Sequence, residues 1–485
     1  MFNRHPKIAW LAVVSLAIII LAGAGIFLAA RYFKKNPGAA LNFFPLSRLL
    51  PSSTETQKKS IEALAPLYLG FNGPRTYLLL FENNTEMRPA GGFIGTYGIM
   101  KIDQGKVKEF FTDGTENLDH DAPEDFKVTP PLPIQKYLAQ KYWYFRDSNW
   151  SPDFSVSALN ALQFYAAENG RDADQIDAVI AVTPTVLERL LQVTGPLQID
   201  GATYSPDTVV QALEYHVEYG YAQEQIPVAE RKMLVRKLGH SLLDKVQNAP
   251  PTKWKALLDI IFQSLADRHI LVYDTRPQFQ TGVDEQGWSG KVHCAEYSDA
   301  TSGVLTPAAA ACVGEDFVMV IDANLAALKT DAAVTRTINY TIRPAGDKFI
   351  GRVSVTYNHR GKFDWRTTRY RSYTRFYLPT GTKFLRGDGA MLKDKSNEPG
   401  NYDVGEELGK TVVGAFISVE PQTSRTLAVD FEIAPAVMEK IKSGVYTLFV
   451  QKQAGTLGHQ LTLDLDFGKT RRSEQMNLVT DKLLR

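Results

Sequence analysis

The order of the predicted elements changes near residue 325, and this change limits the fold more than any other feature of the sequence. Before it, predicted strands rich in β-branched apolar residues, such as Ile176 to Val182, alternate with amphipathic helices, one of which begins at Pro184. Alternating strands and helices are typical of a layered α/β domain, which we predict over residues 73–325. After it, about seven β-rich segments separated by Gly, Pro and Asn predict an all-β sandwich over residues 326–468.

The N-terminal segment predicts a membrane anchor. Ile8 to Ala30 contains no charged residue and is long enough to cross a bilayer as a helix. A cleaved signal peptide has a shorter apolar core, so we predict an uncleaved anchor over residues 1–35 with its transmembrane helix at 8–30. No second run of this length occurs, so about 450 of the 485 residues are expected on one side of the membrane.

Two further segments complete the predicted organisation. Residues 36–72 are predicted to form a juxtamembrane linker and a helix, and residues 469–485 a polar tail. The 54 basic and 53 acidic residues leave a formal charge of +1, so no nucleic-acid partner is expected. The two cysteines, Cys294 and Cys312, flank one short segment and fit a single disulfide in an exported protein. Two free thiols are the alternative interpretation.

A polar loop between two predicted strands is the first candidate site. It contains Asn83, Asn84, Glu86 and Arg88, followed by the pair Gly91-Gly92. The planar guanidinium of Arg88 can bind phosphate or carboxylate. Glu86 can bind a cation or act as a general base. In the same loop, we expect the amide side chains of Asn83 and Asn84 to bind phosphate or sugar. The alternative is a turn whose Asn side chains bond their own backbone, with Arg88 in a salt bridge.

A second polar segment begins at Arg146 and continues through Asp147, Asn149 and Trp150 to Asp153. It predicts a loop that binds an anion or a sugar through Arg146 and Asn149, with Trp150 stacked on a ring. The alternative is structural: Asp153 caps the following helix, and Arg146 pairs with Asp147.

Two weaker candidates lie elsewhere in the chain. The acidic segment from Asp113 to Asp125 offers oxygen ligands for Mg²⁺ or Ca²⁺, with Asp113 best placed because it follows a strand. A solvated acidic loop is the alternative. Arg231 begins a helix and either points into the cleft at the strand ends or lies on a solvated face. The histidines and serines form no zinc-protease or serine-hydrolase motif.

Three motifs carry a resemblance to a known family. The chain resembles the bacterial membrane-anchored family known as domain of unknown function 4012 over most of residues 55–468. The motifs are Glu86-Met87-Arg88-Pro89-x-Gly91-Gly92-Phe93-Ile94-Gly95, Arg146-Asp147-x-Asn149-Trp150-Ser151-Pro152-Asp153-Phe154 and Val193-Thr194-Gly195-Pro196-Leu197. The resemblance implies a cell-envelope protein with one N-terminal anchor and a large extracytoplasmic domain. It implies no established activity.

The order of elements is also similar to that of the LytR-CpsA-Psr phosphotransferases, which implies an α/β domain of their kind. Those enzymes move glycopolymers from a polyprenyl-pyrophosphate carrier onto the cell wall, using arginines on the pyrophosphate and acidic residues with Mg²⁺. Arg88 stands where that family has an arginine after its first strand, and Arg231 lies on the helix that carries another. The family's Pro-Arg-Asp is Phe111-Thr112-Asp113 here, so one arginine is missing. Arg146 is the candidate to replace it.

Two hypotheses follow, and the sequence leaves open whether the chain is an enzyme. In the first, Arg88, Arg146 and Arg231 bind the pyrophosphate of a lipid-linked glycopolymer. Glu86 and Asp113 then hold Mg²⁺ or deprotonate the acceptor hydroxyl, as phosphoryl transfer requires. In the second, the chain is a non-catalytic envelope scaffold or binds a cell-wall polymer.

Overall fold

The computed structural model describes residues 64–223, 225, 233–296, 312–396 and 398–485. The predicted transmembrane helix at 8–30 and Arg231 lie outside this described part. Within it, no helix is both long and apolar enough to cross a membrane.

The chain divides into two compact units. The first comprises the residues up to Asn83 together with Phe93–Val128 and Tyr142–Gly290. The second comprises Asn84–Gly92, Thr129–Lys141 and Lys291–Arg485. The polar loop that joins the first two strands of the α/β unit is thus assigned to the second unit.

The first unit contains a five-stranded sheet with the order β3-β2-β1-β4-β7 and a separate pair, β5-β6. The strands are β1 (Arg75–Asn83), β2 (Phe93–Asp103), β3 (Lys106–Gly114), β4 (Ala178–Val182), β5 (Leu197–Ile199), β6 (Ala202–Tyr204) and β7 (Ile270–Asp274). Strand β1 pairs parallel to β4 and antiparallel to β2, which in turn pairs antiparallel to β3. Strands β1, β3 and β4 therefore run in one direction.

Helices cover this sheet and complete its core. They are α1 (Thr115–His120), α3 (Phe154–Ala167), α4 (Pro184–Thr194), α5 (Val209–Tyr215), α6 (Met233–Gln247), α7 (Pro251–Ala266) and α8 (Pro277–Glu285). Helix α2 (Leu132–Leu138) belongs to the second unit. A π-helical turn, His216–Gly220, and a short helical segment, Tyr221–Gln223, follow α5. Tyr77 and Leu79 of β1 share a buried cluster with Val186 and Leu190 of α4. Strand β1 is buried on both faces because its apolar run is continuous, as in central strands.

The second unit contains two six-stranded sheets, β12-β15-β10-β9-β17-β18 and β13-β14-β11-β8-β16-β19. The strands are β8 (Asp316–Asn324), β9 (Val334–Ala345), β10 (Lys348–His359), β11 (Tyr370–Pro379), β12 (Lys383–Asp388), β13 (Asp403–Glu407), β14 (Lys410–Val419), β15 (Ser424–Glu432), β16 (Leu448–Gln451), β17 (Gln460–Asp466), β18 (Arg471–Asn477) and β19 (Lys482–Leu484). One helix, α9 (Pro435–Lys442), interrupts them. Val353 and Leu427 of one sheet share a core cluster with Phe376 and Val413 of the other.

The mixed α/β content and the β-rich C-terminal part agree with the sequence prediction, but several strands differ from it. Residues Asp316–Asn324, which fall inside the predicted α/β domain without a predicted strand, form β8, which is fully buried within the second unit. The predicted polar tail contains β18 and β19, and β12 and β13 were also not predicted. Strands β12, β13 and β18 have few buried side chains, so they lack the apolar alternation that marks a strand in sequence.

Candidate functional site

One edge of the α/β sheet collects polar side chains. Strands β1, β3 and β4 end at this edge, and β2 and β7 begin there. Glu82 and Asn83 end β1, and Asp113 lies at the end of β3. Thr183 follows β4, and its Oγ1 lies 2.8 Å from Nδ1 of the buried His269. Open α/β sheets bind ligands outside the carboxyl ends of parallel strands, so this edge is the candidate site of the first unit.

Glu82 is the most unusual group at this edge. The pairing of β1 with β2 shifts register between Phe81 and Glu82, and such bulges redirect side chains. The carboxyl group is 1% exposed, and Asn149 Nδ2 donates to its Oε1 at 2.9 Å. Burial raises the pKa of Glu82 to about 8, although the bond from Asn149 opposes the rise. A carboxyl group with a pKa near neutrality is suited to accept or release a proton.

The segment that presents Asn149 is held by helix capping. The Asp153 carboxylate accepts from the backbone N–H of Ser155 at 3.0 Å and of Val156 at 3.3 Å, which starts α3. Trp150 is 9% exposed, so its ring lies in the interior rather than on a surface where a sugar would stack. The structural interpretation of this segment therefore accounts for Asp153 and Trp150.

Arg146, whose side chain is 33% exposed, lies beside a buried acidic cluster. Its Nε pairs with the carboxylate of Asp119, and Glu168 Oε1 accepts from the backbone N–H of Phe145 at 2.8 Å. Burial, together with the negative charge of Asp119, raises the pKa of Glu168 to about 9. Burial also raises the pKa of Asp119, against the opposing charge of Arg146. The charge of Arg146 therefore opposes the effect of burial on the pKa of Asp119, whereas the charge of Asp119 adds to the effect of burial on the pKa of Glu168.

Two other predicted residues of the first unit, Asp113 and Asn83, bond neighbouring elements of the same unit. Asp113 Oδ1 accepts from the backbone N–H of Gly114 and from Asn117 Nδ2, both at 2.7 Å. Asn83 Nδ2 donates to Glu214 Oε1 at 3.4 Å. These contacts tie the end of β3 to α1 and the end of β1 to α5.

The polar loop Asn84–Gly92 is built into the second unit. Arg88 is 3% exposed; its Nη1 donates to the backbone carbonyl of Asn324 at 2.7 Å, and its Nη2 lies 3.5 Å from Glu86 Oε1. Glu86 Oε2 also accepts from Lys329 Nζ at 2.6 Å. The guanidinium of Arg88 is therefore engaged with groups of its own unit.

The backbone of the same loop is held as firmly. Asn324 N–H donates to the Met87 carbonyl at 2.9 Å, and Met87 N–H donates to Asp331 Oδ2 at 3.0 Å. Farther along, Gln453 Nε2 donates to the Arg88 carbonyl at 3.1 Å. These bonds make Asn84–Gly92 an integral segment of the β-rich unit.

Asp331 connects the loop to a buried ionic network. Its carboxylate also accepts from Asn324 Nδ2 at 2.8 Å and pairs with Nη2 of Arg336. Arg336 Nε in turn bonds Asp322 Oδ2 at 2.5 Å. Every charge in this chain of contacts has an opposite charge beside it, as buried ions require.

The predicted site residues are therefore distributed over both units. Asn84, Glu86 and Arg88 belong to the second unit, and Asn83, Asp113, Arg146, Asn149 and Trp150 to the first. Cys294 and Cys312 form a disulfide. Among the described residues, the one set of three candidate metal ligands that lie together is His293, Cys294 and Cys312, which includes neither Glu86 nor Asp113.

The sequence does not single out Glu82 or Glu168, and it offers Asp119 only as one oxygen ligand of the acidic segment. Glu82 ends an apolar run and precedes the more conspicuous Glu86. Asp119 belongs to an acidic segment for which a solvated loop is the alternative to a metal site, and Glu168 follows the last residue of a helix. A carboxylate directly after a central strand is the one signal that pointed to Glu82.

The fold and the site define a mixed α/β protein with a β-rich C-terminal part and a polar edge on its α/β sheet. Residues 72–217, which contain the motif segment, match the family "Protein of unknown function (DUF4012)". No curated protein matches the chain. The solved structures similar to it include native leukotriene A4 hydrolase from Saccharomyces cerevisiae, with 12% identity and a TM-score of 0.16. That match covers 28% of this chain and 23% of the hydrolase, and such a TM-score does not establish a shared fold.

Proposed function

We propose that the chain is a non-catalytic, membrane-anchored extracytoplasmic scaffold of the bacterial cell envelope. The observation that carries this proposal is the burial of Arg88, whose guanidinium bonds the Asn324 carbonyl and lies beside Glu86. An arginine that binds a pyrophosphate must present its donors to the ligand. Arg88 instead contributes its donors to the interior of the β-rich unit.

The disulfide supports the extracytoplasmic part of this proposal. Disulfides persist in oxidising compartments and are rare in the cytosol. Cys294 and Cys312 are the two cysteines of the sequence, and they are bonded to each other.

Three arginines in and next to β11 favour a scaffold over a binder of anionic wall polymer. Arg369 pairs with Glu420, and Arg375 Nη1 lies 3.0 Å from Glu407 Oε2. Arg371 Nη1 lies 3.9 Å from Asp394 Oδ2. Because carboxylates offset these charges, the strand presents little net positive charge to an anionic polymer.

A phosphotransferase of LytR-CpsA-Psr type is the second candidate, and the sheet edge favours it. The raised pKa of Glu82 suits a group that takes a proton from an acceptor hydroxyl. Asp113 ends a strand at the same edge, where a carboxylate oxygen would suit Mg²⁺. In this candidate function the substrate is a polyprenyl-pyrophosphate-linked glycopolymer and the acceptor is cell-wall material.

Binding of a short-chain prenyl pyrophosphate, with and without Mg²⁺, separates the two candidates. The proteins are the wild type, Arg146→Ala, Glu82→Gln and, as a control, Arg171→Ala, whose side chain is 48% exposed and paired with Glu109. A scaffold is expected to bind weakly and equally in all four proteins. Binding that requires Mg²⁺ and falls at least tenfold in Arg146→Ala, but not in Arg171→Ala, would overturn the scaffold proposal. Circular dichroism of each variant checks that it is folded.

A further inference from the structure

Three potential metal ligands lie together beside the disulfide of the second unit. One ring nitrogen of His293 and the sulfur atoms of Cys294 and Cys312 lie within 4.8 Å of one another. The His293 side chain is 32% exposed, and all three residues are partly exposed to solvent. Two sulfurs and an imidazole form the ligand set of open zinc sites, which keep a fourth position for water.

Two contacts hold the imidazole of His293, and two more bonds hold the backbone of His293 and Cys294. Its Nε2 lies 2.5 Å from Glu315 Oε1, and its ring stacks on Phe449 with centroids 3.8 Å apart. The backbone N–H of His293 donates to Gln451 Oε1 at 2.8 Å, and Lys410 Nζ donates to the Cys294 carbonyl at 3.2 Å. A carboxylate on one ring nitrogen orients the other toward a metal, which is the usual arrangement around histidine ligands.

We propose that the reduced chain binds a thiophilic divalent cation of the zinc class through His293, Cys294 and Cys312, and that the disulfide closes this site. A dithiol reductant supplies two electrons and two protons, which break the sulfur–sulfur bond into two thiols, and the reductant becomes a disulfide. Binding of the cation releases both thiol protons to solvent, so the ligands are two thiolates and a neutral imidazole. Glu315 is a positioning residue that accepts from the imidazole Nε2–H.

The spacing of the two cysteines suits both states. Their Cα atoms are 6.2 Å apart. Zinc–sulfur bonds of ~2.3 Å in a tetrahedral site hold two sulfurs roughly 3.8 Å apart. Rotation of the cysteine side chains reaches that separation between backbones at this distance. The cation would thus hold residues 294 and 312 together when the disulfide is reduced.

Cobalt titration of the full-length chain in detergent tests this proposal. The chain is reduced with dithiothreitol, the reductant is removed anaerobically, and Co²⁺ is followed by its thiolate charge-transfer absorption before displacement by Zn²⁺. The reduced wild type is expected to bind one Co²⁺ per chain, and the oxidised wild type none. His293→Ala and Glu315→Gln are each expected to weaken binding about tenfold or more. His120→Ala, at an exposed position outside the site, is the control and is expected to bind as the wild type does.

Two outcomes would overturn the proposal. One is equal Co²⁺ binding by the reduced and oxidised chains. The other is binding by the reduced chain that is unchanged in both His293→Ala and Glu315→Gln. An unfolded reduced chain that binds metal through its cysteines alone would give this second result, because unfolding separates Glu315 from His293.

Discussion

Arg88 Nη1 donates to the backbone carbonyl of Asn324 at 2.7 Å, although the two residues are 236 positions apart in sequence. This bond fastens the motif loop Asn84–Gly92 to the end of strand β8. The motif therefore has a structural role that does not require a ligand.

Because Gly455 closely approaches this loop, we predict that adding a side chain at this position destabilises the fold. A Cβ added at Gly455, which has φ +76°, would lie 2.2 Å from the Gly91 carbonyl oxygen. Gly455→Ala is expected to lower the free energy of unfolding by about 3 kcal/mol, since it adds overpacking to backbone strain. Gly444 has the same φ but open space around it, so Gly444→Ala is expected to cost only about 1 kcal/mol. Urea unfolding of both variants measures the difference, and equal losses would show that contact with the loop is unimportant.

We predict that Asp331 holds the loop Asn84–Gly92 in place within the β-rich unit. Asp331→Ala removes the acceptor of Met87 N–H and one partner of Arg336, so we expect a loss of about 3–5 kcal/mol, as when a buried ion pair is broken. We also expect thermolysin to cleave within residues 84–92 faster than in the wild type, because local opening exposes the segment. Asp347→Ala, on an exposed turn, is the control. An unchanged cleavage rate in Asp331→Ala would contradict the assignment of the loop to the buried network.

Glu168 predicts a pH dependence of stability. Its pKa is raised from the ordinary 4.5 to about 9, so between these values the native chain holds a proton that the unfolded chain releases. The contribution of protonated Glu168 to the free energy of unfolding is fully present below pH 4.5. It is lost as the pH rises through 9, by up to about 1.4 kcal/mol per pH unit. Glu168→Gln does not titrate, so its stability is expected to fall less between pH 5 and 9.

Urea unfolding at several pH values tests the role of Glu168. Glu82, with its pKa raised to about 8, adds a change of the same sign to both proteins, so the double variant with Glu82→Gln should be flatter still. Parallel pH profiles of the wild type and Glu168→Gln would show that Glu168 is ionised in the native chain.

The sequence predicts the parts of the fold that local patterns encode. The apolar runs of β1 and β4 and the Asp153 cap of α3 each depend on neighbouring residues, and they form as expected. The polar edge strands β12, β13 and β18 lack such a pattern. They are held by main-chain hydrogen bonds to neighbouring strands, which side-chain periodicity does not report.

The candidate site was less predictable because its contacts are distant in sequence. Glu82 meets Asn149, and Arg146 meets Asp119, only after the sheet and its helices have assembled. The predicted pairing of Arg146 with Asp147 followed from adjacency, whereas in the fold the guanidinium pairs with Asp119. Likewise, no local sequence pattern predicts that Asn324 and Asp331 bond the loop Asn84–Gly92.

The free energy of unfolding of Arg88→Ala tests the central claim most directly. If Arg88 is part of the buried interior, its removal leaves the Asn324 carbonyl without this donor and leaves Glu86 paired with Lys329 alone. The free energy of unfolding of Arg88→Ala, measured by urea unfolding, is then expected to be about 3 kcal/mol lower than that of the wild type. Arg471→Ala, which removes an arginine 65% exposed and paired with Asp464, should cost less than about 1 kcal/mol. An Arg88→Ala chain as stable as the wild type would contradict the structural role of the motif and return Arg88 to the set of ligand-binding candidates.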